Sequence, residues 1–216
     1  MPKDGSATRD KILDAAQSLM LERGHASTSI DEVINRAGIT KGALFYHFKS
    51  KSDLAHAVVK RYADLEHDLM VRYMTQAERL SRDPLQQLLI FVGLFEDFLR
   101  GLDEPANGCL FASFVYEEQL FDGEVEQIIA DGIIEYRDLI TAKLQQIMEA
   151  RPPLLAVDLP SLADQMMVAF EGGFVVTRAL REPAAVADAL AHHKAYLELL
   201  FAREGELPRS GASSLN

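Results

Sequence analysis

The chain has 216 residues, 48 % hydrophobic and 25 % charged, with a net charge of −11. That supplies a sizeable core and excludes wholesale disorder. No run free of Asp, Glu, Lys and Arg exceeds 12 residues, short of the roughly 17–25 that a membrane-spanning helix needs, so no membrane partner is expected. Met1 to Ala7 carries no apolar leader and Cys109 is the single cysteine, which together point to the reducing cytoplasm.

The charge is unevenly spread. Residues 1–60 hold nine Lys/Arg against seven Asp/Glu, a balance of +2, while residues 61–216 hold thirteen against twenty-six, a balance of −13. Such asymmetry assigns separate tasks to the two segments. The first can approach a polyanion, and the acidic remainder cannot.

Proline and glycine fall at spacings that punctuate helices, and no stretch alternates long enough for a sheet. An all-α fold of about nine helices is predicted. The first runs from about Thr8, as N-cap, to Arg23, with Ile12, Ala15, Ala16, Leu19 and Met20 as its apolar stripe. The second begins with a capping box, either Thr28 with Asp31 or Ser29 with Glu32, and Gly38 ends it. Thr40 caps a third helix to about Phe48, and a fourth spans about Ser52 to Leu80. The remaining five are expected over about Pro84–Leu102, Asn107–Phe121, Glu124–Ala150, Ser161–Arg181 and Pro183–Arg203. Residues 204–216 read as a flexible tail.

The stretch ITKGALFYHFKSK, Ile39 to Lys51, carries the functional signal. At about 100° per residue, Leu44 and Phe48 share one face of the third helix, whereas Gly42, Ala43 and Tyr46 face away from it. Gly42 costs about 1 kcal/mol relative to alanine, so propensity does not explain it. A bare glycine and alanine beside an outward ring let a partner's backbone come close. Lys41 and Lys51 stand at two helix starts, where the macrodipole disfavours cations and phosphates are well held. Two short helices joined by a Gly-containing turn, the second with an outward polar-aromatic face, form a helix-turn-helix.

The segment TSIDEVINRAGITKGALFYHFKSKSDL closely resembles the DNA-binding region of the TetR family of bacterial transcription regulators. The resemblance covers roughly residues 8–60 and extends to the later helices only in their number and order. It implies a three-helix DNA-binding domain at 8–60, with the helix-turn-helix at about 29–48, and an effector-binding and dimerisation domain at 61–203. Carried over by position, Thr40, Lys41, Gly42 and Ala43 would lie at base edges and adjacent phosphates. Tyr46 and His47 would contact the backbone, and Lys51 and Thr28 would each hold a phosphate. The implied activity is transcription regulation, most simply repression of a palindromic operator relieved by a small-molecule effector.

In the acidic segment, the eighth helix is apolar around most of its circumference, and Gly172-Gly173 permits close approach of another helix. With the broad apolar face of the ninth, this suits packing on both its own body and a second subunit. Phe174, Leu190, His193, Leu197 and Phe201 are the expected contacts of a homodimer. Aromatic stripes on helices five to eight suit a pocket for an apolar or aromatic effector. Its expected contacts are Phe91, Phe95, Cys109, Phe114, Tyr116, Tyr136, Phe170 and Phe174. Competing readings are a redox input through Cys109, an all-α enzyme, and a protein adaptor acting through the acidic face. No nucleophile–base pair, metal-ligand spacing or phosphate loop appears, so no catalytic residue, metal or cofactor is expected.

Overall fold

A computed structural model describes residues 5–102, 108–117 and 123–203. Its described residues contain helices and turns, with nine helices in order: α1 (Gly5–Arg23), α2 (Ile30–Ala37), α3 (Lys41–His47), α4 (Lys51–Leu80), α5 (Pro84–Arg100), α6 (Leu110–Val115), α7 (Gly123–Ala150), α8 (Leu159–Leu180) and α9 (Ala185–Leu200). The all-α expectation therefore holds. Several ends differ. Thr8 lies inside α1, because nothing in Gly5–Ala7 stops the helix from starting earlier. Helix α8 starts at Leu159, before the expected Ser161. Asp158 caps it by accepting the Ser161 N–H at 2.9 Å, and Pro160 fits the first turn, where a missing N–H costs nothing. Helix α6 is shorter than expected, and the expected ends Asn107 and Phe121, like residues 204–216, lie outside the described residues.

The chain divides into two compact units. The first comprises residues 1–70 with 106–135, and the second residues 71–105 with 136–216. The division falls inside α4 and inside α7, ten residues later than the expected boundary at 60/61, and it assigns α6 to the first unit. The cause is shared burial. Ile12, Leu13, Ala16 and Leu19 of α1, Val33 of α2, Leu44 of α3 and Leu54, Val58 and Val59 of α4 form one core with Leu110 and Phe114 of α6 and Val125 and Ile129 of α7. Polar contacts tie α4 to α1 around it, with the Arg61 guanidinium donating to Asp14 at 2.8 Å and Gln17 at 3.0 Å.

In the second unit, α9 packs against both α5 and α8. At the α8–α9 crossing a Cβ on Gly173 would stand 2.6 Å from the Cα of Val186, so only glycine permits this approach. Leu88, Phe91 and Val92 of α5, Ile140, Leu144 and Ile147 of α7, and Leu190, Leu197 and Phe201 at α9 supply the interior. Lys143 is buried there as well. Its ammonium donates to Glu78 and Gln87 at 2.7 Å and to Gln146 at 3.0 Å, which satisfies all three of its protons.

Candidate nucleic-acid interface

Local chemistry builds the helix-turn-helix. Of the two possible capping boxes the chain uses Ser29 with Glu32, the serine accepting the Glu32 N–H and the glutamate accepting the Ser29 N–H. Gly38 ends α2 at φ 64°, a left-handed turn that favours glycine. Thr40 then caps α3, its hydroxyl accepting the Ala43 N–H at 3.2 Å. Leu44 and Phe48 are buried and hold α3 on the core. Tyr46 is 83 % exposed, and a Cβ on Gly42 would meet nothing within 4 Å. Neither packing nor a positive φ requires that glycine. The outward face thus consists of Gly42, part of Ala43, and Tyr46, whose ring makes an edge contact with His47 at 5.0 Å. His47 is half-buried, with the start of α1 at Gly5 beside it.

The charged and hydroxyl groups depart from expectation at two positions, Thr28 and Lys51. Thr28 is buried, and its hydroxyl donates to the Gly24 carbonyl at 2.8 Å, so its side chain holds no phosphate; it locks the α1–α2 turn instead. Lys51 donates to the Ala26 carbonyl at 3.2 Å, and burial lowers its pKa. It braces the same turn and is not a free surface cation. Lys41 is exposed as expected but stands 3.6 Å from the Asp31 carboxylate. Asp31 was legible only as a helix-start acid, because its pairing with Lys41 spans the turn.

The residues expected to line one effector pocket fall in both units. In the second, Phe95 is the hub of an aromatic cluster, in edge contact with Tyr73 at 4.8 Å, Phe91 at 5.2 Å and Phe170 at 5.5 Å, and Phe170 stacks on Phe174 at 6.3 Å. Tyr73 was missed, although it shares an α4 face with Met70 and Ala77, both buried. Tyr136 is buried with its hydroxyl unpartnered, and burial, then the nearby Asp164 charge, raises its pKa. In the first unit, Phe114 is a core residue. Half-buried Cys109 places Sγ 4.0 Å from the Tyr62 hydroxyl, whose ionisation burial opposes. Tyr116 is 85 % exposed, because α6 ends before it, and it lines no interior. A groove of about 670 Å³ in the second unit, lined in part by Asp83, Arg151, Glu198 and Leu199, includes none of these residues.

The expected dimer contacts also need correction. Leu190, His193, Leu197 and Phe201 are buried within their own unit, consumed by α9 packing on α5 and α8, and Phe174 is half-buried in the aromatic stack. The apolar surface left outside is on α8, where Val168, Val175 and Leu180 are 66, 62 and 62 % exposed beside an open Gly172, with Leu199 of α9 half-exposed. Among the described residues no helix is long and apolar enough to cross a membrane, and no three His, Cys, Asp or Glu side chains could hold a metal ion.

A helix-turn-helix with an outward recognition face on an all-α scaffold defines a DNA-binding regulator. Comparison with known proteins agrees. Residues 12–58 match the family described as "Bacterial regulatory proteins, tetR family". The regulator AcrR of Shigella flexneri is 29 % identical over 160 residues, covering 73 % of this chain and 71 % of the relative. The repressor BepR of Brucella suis is 27 % identical over 180 residues, 80 % of each. A TetR-family regulator from Agrobacterium tumefaciens has the same fold, with a TM-score of 0.75 at 24 % identity over 92 % of this chain and all of the other. The segment 12–58 is thus similar to the DNA-binding region of the TetR family of bacterial transcription regulators, and the fold is that of a TetR-family regulator.

Proposed function

We propose that the chain is a ligand-responsive repressor that binds a palindromic operator as a homodimer and releases it when a small apolar or aromatic effector binds. The observation that carries this reading is the outward Gly42–Ala43–Tyr46 face with Lys41 at its edge, on a helix anchored by Leu44 and Phe48. Such a face offers close backbone approach, a ring and a cation, and it has no use in the fold. Residues 8–60 are the DNA-binding domain and residues 61–203 the effector and dimerisation domain, acting in the cytoplasm. BepR, named a repressor, is the basis for the sign of regulation.

Homodimerisation through the exposed stripe of α8 carries two recognition helices. Set about 34–36 Å apart, they read two half-sites one helical turn apart. The aromatic cluster around Phe95 supports an apolar or aromatic effector. The effector acts only through its preference for the non-binding state, about tenfold in operator affinity per 1.4 kcal/mol. The test is a fluorescence-anisotropy titration with duplex from upstream of the chain's own gene, repeated with a library of apolar and aromatic small molecules. Binding that a library member abolishes supports the proposal; binding that none affects leaves a regulator without this input and overturns it.

A further inference from the structure

We propose that Asp31, together with Lys41, reads one C·G base pair in each half of the operator; this rests on the reading of α2 and α3 as a DNA-binding helix-turn-helix. Asp31 is the second residue of α2, and Lys41 the first of α3. Their side chains are 77 % and 68 % exposed, with Oδ1 and Nζ 3.6 Å apart. The fold has little use for the aspartate. The start of α2 is closed by Ser29 and Glu32, and Glu32 also pairs with Arg23 at 2.6 Å. That helix end therefore already holds the acid its dipole favours.

A carboxylate on a surface that meets phosphates is repelled unless it finds a hydrogen-bond donor. The donors in the major groove are the amino groups of cytosine and adenine. The ammonium beside it chooses between them. Guanine offers two acceptors, O6 and N7, whereas thymine offers O4 next to a methyl group. A C·G pair sets the cytosine amino group beside guanine O6, donor next to acceptor. Asp31 and Lys41 present the complement, acceptor next to donor. On binding, the solvent-exposed ion pair is exchanged for two charge-assisted hydrogen bonds to one base pair. Gly42, adjoining Lys41, lets the backbone approach closely enough for the short Asp31 side chain to reach, while the longer lysine reaches on its own stem.

The experiment is selection from a library of randomised duplexes by the full-length protein and by Asp31→Ala and Asp31→Asn, both exposed changes that leave the Ser29–Glu32 cap in place. The wild type should enrich a palindrome with a C·G pair at one symmetric position, where any other pair costs about tenfold or more. Both variants should keep the rest of the palindrome and bind random duplex more tightly. Asp31→Ala should lose most of the preference for C·G at that position, keeping only what Lys41 alone gives guanine, and Asp31→Asn should shift it towards a pair that offers adenine. An unchanged motif in the variants, with or without tighter overall binding, overturns the proposal and makes Asp31 a repulsive surface charge only. Failure of the wild type to enrich any motif would instead overturn the DNA-reading assignment itself.

Discussion

Glu117 closes on the turn between α1 and α2: its Oε2 accepts the Ala26 N–H at 2.7 Å, and its Oε1 fills the space where a side chain at Gly24 would stand. Lys51 holds the same turn through the Ala26 carbonyl. A residue just past α6 thus helps to fix the turn that joins α1 to α2 within the first unit.

Gly24→Ala should therefore be costly twice over, since Gly24 has φ 83° and its Cβ would clash with the Glu117 carboxylate. A loss of about 1–2 kcal/mol is expected for the left-handed backbone alone, a fall in Tm of about 2–8 °C at 2–4 °C per kcal/mol. Glu117→Ala on this background should recover only the part due to the clash. Calorimetry of the three proteins checks the order.

Gly42 and Leu44 should separate binding from stability. A Cβ at Gly42 meets nothing, so Gly42→Ala should stabilise α3 by up to about 1 kcal/mol while weakening operator binding. Leu44→Ala removes a fully buried side chain and should cost about 2–5 kcal/mol. A Gly42→Ala protein that melts higher yet binds DNA unchanged would show that the open face has no partner.

His193 predicts a pH dependence. Burial lowers its pKa from 6.5 to about 4. Between those values the unfolded chain binds a proton that the folded chain does not. Stability is therefore complete above pH 6.5 and declines as pH falls towards 4, by at most about 3 kcal/mol. His25, lowered in the same way by burial and then by Lys51, adds in the same direction. His193→Leu should narrow the difference between urea midpoints at pH 7.5 and pH 5; an unchanged difference would assign the whole effect to other groups.

For the dimer, the corrected surface matters. Val175→Glu places a charge on the exposed α8 stripe and should leave folding intact while shifting the sedimentation mass from twice 24.0 kDa to 24.0 kDa. Leu190→Ala should instead lower Tm through a core cavity. Dimers that survive Val175→Glu at micromolar concentration would place the interface elsewhere.

Where structure is set locally, it could be read from the chain. The Thr40 cap, the Gly38 stop and the inward Leu44 and Phe48 follow from turn chemistry and helical period, and Tyr46 is exposed as that period requires. Thr28 could not be read, because Thr28–Asp31 and Ser29–Glu32 are equivalent as local patterns and only the Gly24 carbonyl, brought in by the turn, decides between them. Leu190, Leu197 and Phe201 failed for a different reason. A broad apolar face shows that burial occurs, not whether the cover is α5 of the same chain or a second subunit. Helical spacing likewise placed Cys109 and Phe95 on apolar faces but carried no information on which compact unit each would join.

The central claim is that the α3 face reads DNA. Anisotropy titrations of the wild type, Lys41→Ala and Tyr46→Ala on upstream duplex, over a series of salt concentrations, test it directly. Affinity should fall steeply with salt, with a slope of about −0.9 per phosphate contact, and each variant should bind at least about tenfold more weakly at an unchanged Tm, a loss of about 1.4 kcal/mol. Equal affinity of all three proteins, or a wild type that prefers upstream duplex no more than a scrambled one, would contradict it.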